Sequence, residues 1–228
     1  MKHSGKALRA GLKIVFWTLI LLLAVFAIGI LATLLGVITA TFSTFLVVVW
    51  ILFALFTLYF FRDPNPSVPS IANAIVSPAH GTVDLIDETT EPELMGGPCQ
   101  RISIFLSIFN VHVQKSPVTG KIVFFKHCPG KFLSATRSDC SAHNENVLLG
   151  LEPVDYPDRK IGLRLIAGLI ARRIITWVEL GEKVSRSERI SLIQYGSRCD
   201  LYLPRGVKIH VKLGAKVKGG ETIVASFE

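Results

Sequence analysis

The sequence predicts an α+β protein that is mainly β: an N-terminal transmembrane helical hairpin followed by one β-rich, barrel-sandwich-like domain. Three observations carry this expectation. The run from Ile14 to Phe61 holds no charged residue and is mostly Leu, Val, Ile, Phe and Ala. From Val76 onward, short segments rich in β-branched and aromatic residues are separated by Pro and Gly turns. Near the end, Val207-Lys208-Ile209-His210-Val211-Lys212 alternates and then turns on Gly214 and Gly219-Gly220, a hairpin style that recurs in lipoyl-like barrel-sandwich folds.

The apolar run is long enough for two crossings, because a bilayer core about 30 Å thick takes roughly 20 helical residues. The spacing predicts a first helix near Ile14–Leu35 and a second near Phe45–Phe61, with Gly36 and the polar patch Thr39, Thr41, Ser43 and Thr44 between them. A cleaved signal peptide, with an apolar region of about 7–15 residues, is far shorter. Lys2, Lys6, Arg9 and Lys13 precede the first helix and Arg62 follows the second. Both ends therefore prefer the cytoplasmic side, which an even number of crossings permits. Arg62-Asp63-Pro64-Asn65-Pro66 ends the second helix, since proline forces its predecessor out of the helical region. This divides the chain into an anchor of residues 1–63 and a domain of residues 64–228, large enough for an adequate core.

Within that domain the strand-like segments are Gly81–Ile86, Arg101–Phe105, Gly120–Phe125 and Lys160–Ile166. Leu165–Val178 reads equally as a buried strand or a short helix. The formal charge is +8, but Lys and Arg are scattered without the basic–aromatic array that suits nucleic acid, so no nucleic-acid partner is expected. Beside a membrane anchor such residues favour anionic lipids by about 1 kcal/mol each. Cys99, Cys128, Cys140 and Cys199 form no CxxC pair or metal-ligand spacing, and free thiols are expected. His80, His112, His143 and His210 likewise lack HExxH or comparable spacing, so no metal is expected. The terminal hairpin has no lysine at a tight turn, against a lipoyl-carrier reading.

Seven blocks carry the functional signal. They are Phe60-Phe61-Arg62-Asp63-Pro64, Ser77-Pro78-Ala79-His80-Gly81, Ser107-Ile108-Phe109-Asn110-Val111-His112-Val113, Pro129-Gly130-Lys131-Phe132, Ile166–Ile174, Ile193–Pro204 and Gly220-Glu221-Thr222-Ile223. A Gly-Ser pair such as Gly196-Ser197 is by itself an ordinary turn dipeptide. In order and at this spacing, however, the blocks resemble the short-form phosphatidylserine decarboxylase proenzymes across nearly the whole chain, the membrane hairpin included.

The resemblance implies a pyruvoyl-dependent phospholipid decarboxylase, a carboxy-lyase whose catalytic domain is residues 64–228. It implies self-cleavage between Gly196 and Ser197 into chains of residues 1–196 and 197–228 that stay together. Ser197 would be both nucleophile and precursor of the covalent pyruvoyl cofactor. That group would form an imine with phosphatidylserine, release carbon dioxide and yield phosphatidylethanolamine. His112 is the candidate proton donor, and an imidazole, with an ordinary pKa near 6.5, suits proton exchange at neutral pH. The implied partners are phosphatidylserine, membrane lipid and the two cleavage chains, with a homo-oligomer left open. The implied location is the cytoplasmic face of the inner membrane.

Departures from the family pattern bear on maturation. His80 stands where the family usually has aspartate, and Lys115 where long-form relatives place a histidine of the cleavage triad. Ser191 occupies a position that tends to be glycine, and Asn146 one that is usually arginine. Three outcomes follow: His80 acts directly as the base for Ser197, processing is slow, or the chain is a non-maturing paralogue serving as a membrane-tethered lipid-binding or scaffold domain. Cys199 lies two residues from Ser197 and is read as core.

Overall fold

A computed structural model describes residues 5–32, 37–130, 144–168, 173–194 and 197–228. The chain divides into two compact units, Gly5–Asp63 and Pro64–Glu228. The fold is mainly β with two apolar N-terminal helices, the class that the composition and periodicity predict.

The first unit holds α1 (Lys6–Ala32) and α2 (Val37–Phe60). Their stretches Lys6–Ile30 and Thr41–Phe60 are long and apolar enough to cross a membrane. At 1.5 Å per residue, a helix of about 20 residues spans about 30 Å. Two small residues allow the helices to approach: a Cβ on Gly11 would meet Phe61 Cβ at 2.8 Å, and one on Gly29 would meet Ser43 Oγ at 3.0 Å.

The helix bounds differ from the expectation in two places. α1 begins at Lys6 rather than near Ile14, because Lys6, Arg9 and Lys13 are good helix formers that the apolar run leaves out. The polar patch at Thr39, Thr41, Ser43 and Thr44 lies inside α2 rather than between the helices. Hydroxyls do not break a helix when they bond back to the preceding turn, as Thr18 Oγ1 does to the Ile14 carbonyl at 3.0 Å. Gly36 lies outside the described residues.

The second unit is built of strands, all short or alternating. In chain order they are β1 (Ala74–Val76), β2 (Gly81–Glu91), β3 (Gly97–Leu106), β4 (Val113–Lys115), β5 (Gly120–Cys128), β6 (Asn146–Pro153), β7 (Ile161–Ala167), β8 (Ile174–Thr176), β9 (Lys183–Val184), β10 (Arg189–Ile193), β11 (Ser197–Leu203), β12 (Val207–Ile209), β13 (Lys216–Val217) and β14 (Ile223–Phe227). Among the described residues the largest sheet runs β13-β2-β3-β11-β7-β6-β5-β9, and two smaller ones run β1-β14-β12 and β4-β10-β8. The large sheet curls into a half-barrel. The ambiguous stretch Leu165–Val178 is strand in β7 and β8, while its residues 169–172 lie outside the described residues. The terminal alternation stops at Ile209, and the chain then turns on Gly214 and Gly220, both at positive φ (83° and 79°) where glycine is least strained.

The main core follows the period-2 rule. Ile102, Ile104 and Leu106 of β3, Leu163, Leu165 and Ala167 of β7, and Cys199, Leu201 and Leu203 of β11 share one buried cluster. β11 is buried along its whole length, so its outward face is covered as well. The cover is the β2–β3 hairpin. Its turn is tied by the Glu91 carboxylate, which accepts from the Leu94 and Met95 amides at 2.7 and 2.9 Å. Leu94 then packs with Cys99, Leu148 and Tyr202. Room for it comes from Gly150 and Gly162, paired across β6 and β7. A Cβ on Gly150 would stand 2.5 Å from Leu94 Cδ1. Under this cover β11 can carry polar residues on its outer face while staying dry.

Candidate active site

Ser197 opens β11 and is fully buried. It lies in register between Leu106, the last residue of β3, and Ala167, the last of β7. Its Oγ has no hydrogen-bond partner among the described residues. A buried hydroxyl left unpaired costs about 1–3 kcal/mol, and such atoms in a folded protein call for a reason. Tyr195 and Gly196, which precede it, lie outside the described residues.

The neighbouring strand ends are pinned by side chains. After β3, Asn110 Oδ1 accepts from both the amide and the hydroxyl of Ser107, at 2.9 and 2.8 Å. After β7, Asn144 Nδ2 donates to the Ala167 carbonyl at 2.7 Å, and Asn146 Nδ2 donates to the Asn144 carbonyl at 2.9 Å. Asn146, at the position where arginine is usual, thus holds the residue that holds the partner of Ser197.

His112 is fully buried, just ahead of β4. Its Nδ1 lies 2.9 Å from the Asn110 carbonyl. A carbonyl can only accept, so Nδ1 carries a proton. The His112 carbonyl accepts from the Ile193 amide at 3.2 Å and from Gln114 Nε2 at 2.8 Å. Gln114 is oriented in turn by Ser191, whose hydroxyl donates to its Oε1 at 2.8 Å. The unusual serine at 191 therefore has a definite place: it completes the scaffold behind His112. β10, which carries Ile193 and Ser191, leads directly into the segment before Ser197.

His80 is placed differently. It immediately precedes β2, and β3 lies between β2 and β11. Two strand spacings separate the backbones of β2 and β11, about 10 Å. His80 Nδ1 accepts from the Gly219 amide at 3.0 Å, which makes it the neutral tautomer with its lone pair on Nδ1. No hydrogen bond joins His80 to Ser197 Oγ. Gly81 beside it permits a close strand approach, since a Cβ there would fall 2.2 Å from the Phe105 carbonyl oxygen.

Around His80 two of the sequence blocks meet, with Lys115 beside them. The Ser77 amide donates to Thr222 and the Gly220 amide to Ser77, both at 2.8 Å, and the Lys115 amide donates to Pro78 at 2.8 Å. Lys115 is fully buried, and its Cδ would lie 2.8 Å from a Cβ on Gly220. The glycine at 220 makes room for that lysine.

Electrostatics separate the two faces of β11. Burial, and then the charge of Asp200, push the Cys199 thiol well above its ordinary range. It is no thiolate at neutral pH and no rival nucleophile; it belongs to the core. On the outer face, burial first and Asp200 second push Tyr202 up to about 12, against the opposing pull of Arg164 and Arg101. Cys99, Cys128 and Cys199 are unpaired thiols. Among the described residues no three His, Cys, Asp or Glu side chains gather as a metal site would require; His143 and Cys140 lie outside them.

The structure thus brings Ser197, the pinned ends of β3 and β7, and the β10–β4 scaffold of His112 to one region of the fold, with His80 across β3. Asn110, Gln114, Ser191 and Asn144 were not singled out as site residues by spacing. The side-chain pairs Ser191–Gln114 and the contact of Asn144 with Ala167 join positions 77 and 23 residues apart, which no local pattern reveals.

Comparison with known proteins agrees with this arrangement. The family model described as phosphatidylserine decarboxylase matches residues 53–225. A phosphatidylserine decarboxylase proenzyme of Desulfotalea psychrophila is 41% identical over 200 residues, covering 88% of this chain and 92% of that protein. One from Syntrophus aciditrophicus is 38% identical over 228 residues, covering all of both chains. One from Pelobacter propionicus is 44% identical over 174 residues, covering 75% of this chain and 76% of that protein. With a buried serine at a strand start, a scaffolded histidine and this breadth of match, the chain belongs to the phosphatidylserine decarboxylase family.

Proposed function

We propose that this chain is a membrane-tethered proenzyme that cuts itself between Gly196 and Ser197 and then decarboxylates phosphatidylserine to phosphatidylethanolamine on a pyruvoyl group made from Ser197. The observation that carries this reading is the buried Ser197 Oγ without a partner at the start of β11. A merely structural serine there would be expected to bond a strand carbonyl. Instead its hydroxyl is buried and has no partner among the described residues, as a nucleophile kept available for attack requires.

In the cut, Ser197 Oγ adds to the Gly196 carbonyl carbon and the Gly196–Ser197 C–N bond breaks, leaving an ester and a new amine at residue 197. Loss of the Ser197 Cα proton then expels the Gly196 carboxylate and leaves a dehydroalanine. Addition of water and loss of ammonia leave a ketone in place of the serine amine. His80 is the proposed base for the first step. Its Nδ1 already holds a lone pair, and reaching Ser197 needs either a turn of the ring away from Gly219 or a water relay.

A pyruvoyl group at position 197 supplies a carbonyl electron sink for loss of carbon dioxide. Leu106 and Ala167 would hold it in the strand register of Ser197. His112 would deliver a proton from Nε2 to the carbon that loses the carboxylate, while Asn110 keeps Nδ1 protonated and the ring fixed. The small chain, residues 197–228, would stay bound through β11, β12, β13 and β14, each paired within a sheet. The anchor helices would keep the domain at the cytoplasmic face of the inner membrane, where phosphatidylserine is the lipid substrate.

One observation favours a second reading. No described side chain stands within hydrogen-bond reach of Ser197 Oγ, as would also hold for a paralogue that kept the fold and does not mature. Purified protein in mixed micelles of detergent and phosphatidylserine separates the two. Release of carbon dioxide with formation of phosphatidylethanolamine, lost in Ser197→Ala, is the expected result. No release from protein incubated long enough to mature leaves the scaffold reading.

A further inference from the structure

The outer face of β11 holds an ion pair that the proposed chemistry leaves unused. Arg198 alternates away from Ser197 and Cys199, so it lies on the face opposite the main core. It is 5% exposed, and its guanidinium donates to Asp84 Oδ2. Asp84 is on β2, two strands away: Phe105 of β3 pairs with Arg198 on one side and with Thr82 on the other. The register of β2 against β3 slips at this point, with Val83 opposite Ile104 and Leu85 opposite Ser103. Asp84 is therefore the extra residue of a β-bulge, a device that bends a strand and re-aims a side chain. Burial most of all, and also the charge of Asp200, buried two residues further along the same face, push the Asp84 carboxyl above its ordinary range against the pull of Arg198.

We propose that the Asp84–Arg198 pair is a clamp that holds the new end of the small chain in register after the bond before Ser197 is cut, which makes Asp84 a positioning residue for the group derived from Ser197. The inference rests on Gly196–Ser197 being the scissile bond. While the chain is continuous, β11 is tethered at both ends. After cutting, residue 197 is a chain end, and its conversion to a ketone removes its amide N–H from the ladder. Chain ends fray at almost no cost in free energy. Arg198 is then the first residue with a full set of backbone groups, and its side chain spans β3 to reach the large chain. Arg198 is buried while Asp84 reaches the surface (side-chain exposures of 6% and 30%), so the pair is screened less than the Arg205–Glu88 pair beyond the other end of β11, at 63% and 68%. An ion pair with one partner at the surface adds little net stability, so its use here is geometric.

A matched control lies on the same face. Arg101 binds Asp87 through two hydrogen bonds, Nε–Oδ1 at 2.9 Å and Nη2–Oδ2 at 2.6 Å. Both partners belong to residues 1–196, so cutting leaves that pair untouched. The test compares full-length parent, Asp84→Asn, Asp84→Glu and Asp87→Asn in detergent micelles. It follows chain splitting on denaturing gels, hydrogen exchange of peptides from residues 197–203 in the split protein, and kcat and KM for phosphatidylserine. Asp84→Asn is expected to split at the parental rate. Its first β11 amides then exchange roughly tenfold faster or more, and kcat falls roughly tenfold with little change in KM. Asp84→Glu restores part of the protection, and Asp87→Asn matches the parent. Unchanged β11 exchange in Asp84→Asn, or equal acceleration in Asp87→Asn, overturns the clamp. A parent that never yields a chain beginning at residue 197 overturns the scissile-bond reading itself, and does so before any variant is compared.

Discussion

His112 and His80 are both held by backbone hydrogen bonds, but in opposite senses. His112 donates from Nδ1 to the Asn110 carbonyl, whereas His80 accepts at Nδ1 from the Gly219 amide. His112 therefore carries a proton on Nδ1, whereas His80 keeps a lone pair there. His112 is fully buried behind a chain of contacts through Gln114 and Ser191. His80 is only partly buried, and the turn that binds it lies close to the C-terminus. The difference teaches that the rigid histidine suits a repeated proton transfer in turnover, while the less enclosed one suits a single event in maturation.

The largest expected effect comes from His112→Ala. Removing a positioned general acid costs on the order of 100-fold to 10,000-fold in kcat, and the chains should still appear split on a gel. Full turnover in that variant would break the assignment of the two roles. Next is His80→Asp, which puts the usual family residue at that position. If His80 is the base for Ser197, splitting slows by roughly 100-fold while kcat per mature site holds. Splitting at or above the parental rate would make His80 a tolerated substitution and move the base elsewhere.

Smaller effects test what surrounds the histidines. Tyr202 is buried and pushed up to about 12, against an ordinary value near 10 in an unfolded chain. Its folded form keeps the proton longer, so its contribution is complete below pH 10 and is lost as pH rises towards 12, on the order of 2 kcal/mol. Thermal unfolding across that window should show the loss, and Tyr202→Phe should flatten it. Ser191→Ala strips the donor from Gln114 Oε1 and leaves a buried acceptor unpaired, at about 1–3 kcal/mol. A lowered Tm together with a modest fall in kcat would place Ser191 behind His112. A lowered Tm with unchanged kcat would confine it to packing.

Much of the fold was legible in the sequence because its signals are local. The charge-free run Ile14–Phe61 is enough to read two helices, and β-branched and aromatic segments between Pro and Gly turns are enough to read β2, β3, β5 and β7. The expected turn at Thr39–Thr44 lies within α2, since hydroxyl residues that a helix tolerates look like turn residues in a linear chain. At the site, Ser197, His112 and His80 stand in recognisable blocks. Gln114, Asn144 and Asp84 do not, because each acts on a residue brought near only by strand pairing. Asp84 and Arg198 are 114 positions apart, and a one-residue bulge decides where the carboxylate points. Nothing in the periodicity of β2 marks that bulge. The oddity at Ser191 was visible, but its purpose needed the partner strand.

The central claim is that the buried hydroxyl of Ser197, without a partner among the described residues, is there to cut the chain. Intact-mass measurement of purified protein, beside Ser197→Ala, tests it most directly. The account predicts two species from the parent, residues 1–196 ending in a carboxylate and residues 197–228 with a blocked terminus of pyruvoyl mass, and one uncut chain from the variant. A parent that stays whole after prolonged incubation in lipid or detergent, or a Ser197→Ala chain that splits at the same place, would contradict it.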